Sequence, residues 1–110
     1  MQVSVSARHG NLQPGDQQLI EEKTERLRRL NDRVSSIVVT VDLEHLEKPV
    51  VEIKVSVEHE DDCVGSADAT NVIAALDLAI PKVESQLRKS KEKKANHRAG
   101  HKKIDPATDD

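Results

Sequence analysis

Apolar residues recur at two different periods along this chain, and the switches between them mark its elements. Val3, Val5 and Ala7 alternate with Gln2, Ser4, Ser6 and Arg8, the period of a half-buried strand. The stretch from Gly10 to Gly15 breaks the alternation, and Pro14 stands where a first helical residue tolerates a missing N–H. Leu19, Ile20, Lys23, Leu27 and Leu30 follow at helical spacing with Thr24 on the same face. This predicts a helix from about Pro14 to Leu30, ended by Asn31-Asp32. Period two returns at Val34, with Ile37, Val39, Val41 and Leu43 on one side of a strand. After a turn at Glu47-Lys48-Pro49, Val51, Ile53, Val55 and Val57 alternate with Glu52, Lys54, Ser56 and Glu58. An acidic turn, Glu60-Asp61-Asp62, leads to a fourth strand whose inner face is small: Cys63, Gly65, Ala67 and Ala69. Small residues there let a helix approach the sheet closely.

The second helix starts at Thr70 or Asn71, both able to cap it. Its apolar stripe is Val72, Ile73, Leu76, Ile80, Val83 and Leu87, with Ala79. Ser90 and Lys94 come next on that stripe, so packing on the sheet is expected to stop near Leu87. Pro81 removes the bond to the Asp77 carbonyl and is expected to kink the helix. The order is β-α-β-β-β-α. It implies an α+β fold: a four-stranded mixed sheet with two helices packed on one face and a right-handed crossover through the first helix. The other sheet face is expected to be polar and solvated. One domain over residues 1–95 is expected, with a disordered tail over 96–110 that is first basic, then acidic.

Composition changes this picture in one respect. The chain holds no Phe, Tyr or Trp, so the core is Val, Ile, Leu and Ala, and no aromatic ring can stack on a base. Any RNA contact must therefore read backbone shape and phosphate position. A single Cys fits a reduced, intracellular setting. Neither a secretory signal nor a bilayer-length apolar run is evident, so a cytoplasmic address without membrane contact is expected.

Charge changes it more. The formal net charge is -3, but it is partitioned. Residues 1–81 hold 8 Lys/Arg against 15 Asp/Glu, residues 82–103 hold 9 against 2, and residues 104–110 hold three Asp. Such asymmetry points to a localised anionic partner for one segment. On the second helix Lys82, Gln86, Lys89 and Lys93 lie on one flank of the stripe, and Arg88 and Lys91 on the other. Lys94, Arg98, Lys102 and Lys103 extend the positive run. This array fits a phosphate backbone, since each neutralised phosphate releases counterions. A solvated helix end favoured by the helix dipole fits the same charges. The first helix adds Lys23, Arg26, Arg28 and Arg29, with Arg33 after it, but Glu21, Glu22 and Glu25 are interleaved and ordinary helix pairing explains them too.

Nothing points to catalysis. Cys63 on a small strand face reads as a core residue. The five His show no zinc-like spacing with it, and His97 and His101, four apart in a Lys-rich tail, read as solvated. The four Gly are scattered, without a phosphate loop. No metal, cofactor or small-molecule substrate is expected.

Three segments carry a family likeness. Val5-Ser6-Ala7-Arg8-His9, Ile20-Glu21-Glu22-Lys23 continuing to Arg26-Leu27, and above all Asn71 to Lys89 with its Lys82-Val83-Glu84-Ser85-Gln86-Leu87 segment, resemble the ribosome hibernation-promoting factors. The resemblance spans about residues 2–95 and is strongest in the second helix. It implies a β-α-β-β-β-α domain seated in the channel of the small ribosomal subunit, against 16S-type ribosomal RNA, where messenger and transfer RNA bind. Translation would be blocked by occupancy, without catalysis, during stress or stationary phase. The family's basic sites fall on Lys23, Arg26, Arg29, Lys82 and Lys89, and Arg8 and His9 match its first-strand motif. The chain departs from the family at Ser85, Asn71, Ile73 and Pro81, and is similar to the short forms that lack a ribosome-pairing domain. The full set of expected RNA contacts is Arg8, His9, Lys23, Arg26, Arg29, Lys82, Gln86, Arg88, Lys89, Lys91, Lys93 and Lys94, on a monomer. The rivals are a generic double-stranded RNA binder, against which the acidic start Asp68-Ala69-Thr70-Asn71 of the second helix speaks, and an RNA-independent interaction module.

Overall fold

The computed structural model describes the backbone of residues 2–95 and the side chains of residues 2–89. The elements are β1 (Gln2–Arg8), α1 (Pro14–Glu25), a 3₁₀ helix (Arg26–Leu30), β2 (Val34–Asp42), β3 (Val50–Val57), β4 (Cys63–Asp68) and α2 (Val72–Ala95). The sheet order is β1-β2-β3-β4; β1 runs parallel to β2 and the other pairs are antiparallel. A parallel pair needs a crossover, and α1 supplies it.

Register explains why both helices share one face. Three rungs cross the sheet: Val3–Ile37–Val55–Cys63, Val5–Val39–Ile53–Gly65 and Ala7–Val41–Val51–Ala67. Because side chains alternate, all twelve point to the same side. There α2 packs on β3 and β4, α1 packs on β1, and α2 also meets α1 and the 3₁₀ helix. Ile20, Leu27, Leu76, Ala79, Val83 and Leu87 close the core from above. Each large aliphatic buried this way contributes about 1.5–3 kcal/mol. The opposite face carries Ser4–Val38–Lys54–Val64 and Ser6–Thr40–Glu52–Ser66, and is the polar side the alternation implies.

The small face of β4 is where the layers come closest. A Cβ on Gly65 would lie 2.9 Å from Val83 Cγ2 and 3.2 Å from the Ala79 carbonyl oxygen. Asn71 caps α2, its Oδ1 accepting the Ala74 N–H at 2.8 Å. Leu87 is the last buried residue of α2 among the described side chains, as the stripe predicts; Ala75, which the stripe omitted, is buried as well.

One element differs in detail from the sequence reading. The first α-helix ends at Glu25 rather than Leu30, and the remaining turn tightens into a 3₁₀ helix. Just before the change, the buried Thr24 hydroxyl donates to the Ile20 carbonyl at 2.8 Å, a back-bond that competes with regular helix pairing. The helix α2 continues through Pro81, which lies inside the Val72–Ala95 span. Pro81 is exposed, so its ring meets no neighbouring layer. The tail over 96–110 lies outside the described residues, and no described helix is long and apolar enough to cross a membrane.

Candidate nucleic-acid interface

The strand directions sort the basic residues onto two ends of the sheet. The first β-strand leads away from the end where the 3₁₀ helix, the start of β2 and the start of β4 lie. Arg26 and Arg29, with Arg28 and Arg33 beside them, therefore sit at that end. The second helix runs antiparallel to β4, since Lys82 reaches Ser66 while Gln86 reaches Val64. Its later residues, Arg88 and Lys89 onward, thus arrive at the same end as the 3₁₀ helix. From Gln86 to Ala95 the helix advances about 13 Å, beyond the level of Val64. Lys91, Lys93 and Lys94 lie on this stretch, but their side chains are outside the described residues.

Arg26, Arg29, Arg88 and Lys89 are exposed and have no ion-pair partner among the described residues. Arg28 is held by Glu25 at 3.4 Å. Carbonyls at the end of the 3₁₀ helix add negative partial charge, which favours Arg28 and Arg29 in its last turn. The acidic β3–β4 turn, Glu58 to Asp62, lies at this end too, and its Asp62 pairs with Lys54 of the outer sheet face at 3.5 Å. It contains His59 in the left-handed region at φ 63°.

The remaining expected contacts are bonded within the domain or stand away from this end. Lys23 is half-buried and its ammonium pairs with Asp77 at 3.1 Å, tying α1 to α2. Lys82 Nζ donates to the Ser66 carbonyl at 2.7 Å. The Gln86 amide takes both backbone groups of Val64: Nε2 donates to its carbonyl at 2.6 Å, and Oε1 accepts its N–H at 3.0 Å. Arg8 and His9 stand at the far end of the sheet from Arg88. There His9, at φ 62°, bonds through Nδ1 to Asp42 Oδ1 at 2.9 Å. The backbone N–H of Glu44, then His9, hold the Asp42 carboxyl below the usual range. Ligand atoms of His9, Asp42 and Glu44 lie within 4.8 Å of one another, an exposed cluster that sequence spacing had not joined. No signal in the sequence links residues 33 apart in this way, nor Gln86 to Val64, because both depend on strand order.

A small α+β domain with one helical layer over a mixed sheet, and cations gathered where its two helices end, is the class that fold and charge define. The chain belongs to the family described as Sigma 54 modulation protein / S30EA ribosomal protein, whose profile matches residues 3–95. It is 30% identical over 113 residues to the ribosome hibernation promoting factor of Azotobacter vinelandii, covering 96% of each chain. A ribosomal subunit interface protein from Coxiella burnetii shares the fold, with a TM-score of 0.75 and 24% identity over 84% of this chain and 99% of that one. The N-terminal domain of Thermus thermophilus Protein Y does so with a TM-score of 0.71 and 22% identity, over 82% and 99% respectively.

Proposed function

We propose that this chain is a ribosome-associated factor that occupies the messenger and transfer RNA channel of the small subunit and silences translation. It acts as a cytoplasmic monomer, by occupancy rather than by chemistry. The observation that carries this reading is the shared pole: Arg26 and Arg29 from one helical segment and Arg88 and Lys89 from the other stand at one end of the domain, exposed and without protein partners among the described residues. Cations already spent on internal ion pairs contribute little to an outside partner; these remain available to phosphate oxygens. The names of the relatives, a hibernation promoting factor and a ribosomal subunit interface protein, support the same direction. Without aromatic rings the contact is to backbone phosphates and groove shape, which suits a folded ribosomal RNA.

The test is co-sedimentation with purified small subunits across a salt series. Binding is expected to fall steeply with salt, with a log–log slope that counts the phosphates neutralised. Replacing Arg26, Arg29, Arg88 and Lys89 together by Glu is expected to abolish binding while far-ultraviolet circular dichroism stays unchanged. Full retention of binding by that variant rejects the pole as the contact. Equal competition by an arbitrary RNA duplex rejects the small subunit as the specific partner.

A further inference from the structure

Among the described residues the outer edge of β4 has no strand beside it, yet part of its backbone is paired. Its partner is a helix. Along β4 the outward-facing residues repeat every second position, about 6.6 Å apart. Along α2 one face repeats every fourth residue, about 6.0 Å apart. The two spacings nearly coincide, and the chain uses the match. Lys82 meets the Ser66 carbonyl, and four residues later Gln86 meets Val64. One step earlier Leu78 lies beside Asp68, where it lines the same shallow cleft as Lys82. A primary amide offers a donor and an acceptor side by side, as a strand's peptide groups do. Gln86 therefore replaces one residue of a missing fifth strand.

We propose that Gln86 is a positioning residue: its amide clamps α2 to the β4 edge and fixes the line along which the helix carries Arg88 and Lys89 past the sheet. This rests on the small-subunit reading above, and deepens it. It assigns Gln86, whose amide oxygen and nitrogen are both bonded to Val64, a different task from the RNA contact expected of the basic flank. The clamp falls one residue before Leu87, the last point at which α2 is anchored in the core. Beyond that point no buried side chain holds the helix among the described residues. An angular error at the clamp grows with distance along the projecting segment, so two hydrogen bonds there govern where the cations stand.

Two variants separate positioning from contact: Gln86→Ala and Lys89→Met. Amide hydrogen exchange is read at Val64, and subunit binding is read as a function of salt. Gln86→Ala is expected to speed Val64 exchange about fivefold, the factor set by one ordinary hydrogen bond. It is also expected to weaken subunit binding without changing the salt slope. Lys89→Met is expected to lower the slope by roughly one, as loss of one phosphate contact does. A salt slope lowered by Gln86→Ala overturns the proposal, and so does unchanged Val64 exchange in that variant. If the unaltered protein fails to bind subunits, the functional reading falls. The clamp is then decided by residual dipolar couplings of residues 82–89 in Gln86→Ala: a reoriented helix supports it and an unmoved one rejects it.

Discussion

At the scale of single residues, Gly65 shows how a missing side chain sets a distance. Its absent Cβ lets α2 lie against β4; adding one brings it within 3.0 Å of Lys82 Cβ as well as against Val83 and the Ala79 carbonyl. The Val83 side chain can yield, but the Ala79 backbone can do so only by moving the helix. Gly65→Ala is expected to cost about 1–3 kcal/mol, read as a melting temperature lower by roughly 4–8 °C per kcal/mol. Cys63, two residues earlier, illustrates burial of a titratable group. Desolvation first, then the neighbouring Asp62 and Glu60 carboxylates, push its thiol above the ordinary value of 9.0. The thiolate is the reactive form, so alkylation in the folded protein is expected to be far slower than in denaturant at pH 8. The linked stability is full below pH 9.0 and declines as pH rises through the folded value. A Cys63→Ala variant should lose that alkaline decline; equal decline in both proteins counts against the assignment.

At the scale of elements, the sequence was a good guide wherever a local period decides the outcome. The alternation Val51-Glu52-Ile53-Lys54-Val55 is legible because each residue faces either a packed layer or water. The start of α2 was legible as well, because Asn71 acts within its own turn. Asn71→Ala is expected to lower stability by about 1 kcal/mol, measured by urea unfolding with an unchanged denaturant dependence. What local period does not encode is how a helix ends. Leu27 and Leu30 keep helical spacing whether the last turn is α or 3₁₀, and Thr24 tips the balance through a side-chain bond that spacing does not reveal. Nor does period encode what lies across an edge. Gln86 reads as one more polar residue on a basic flank until β4 is known to be the last strand.

At the scale of the molecule, topology rather than sequence distance decides which charges act together. Arg26 and Arg88 are 62 positions apart by their numbers, yet α1 runs against β1 and α2 against β4, so both arrive at one end. Arg8 and His9 precede Arg26 by fewer than 20 positions and stand at the other end. The candidate contact set therefore divides into an unpaired pole of Arg26, Arg29, Arg88 and Lys89, a set of Lys23, Lys82 and Gln86 bonded within the domain, and the distant pair Arg8 and His9. Only family likeness speaks for the distant pair as an RNA contact.

That distant end offers a vantage point. Leu46, at the tip of the β2–β3 connection, is 76% exposed, and the natural chain contains no residue that fluoresces on near-ultraviolet excitation. Leu46→Trp would install a solitary emitter on an otherwise dark protein, at the extremity remote from Arg88. Its spectrum should stay constant while the protein is titrated with small subunits, and a blue shift would reveal that the Arg8–His9 extremity docks as well.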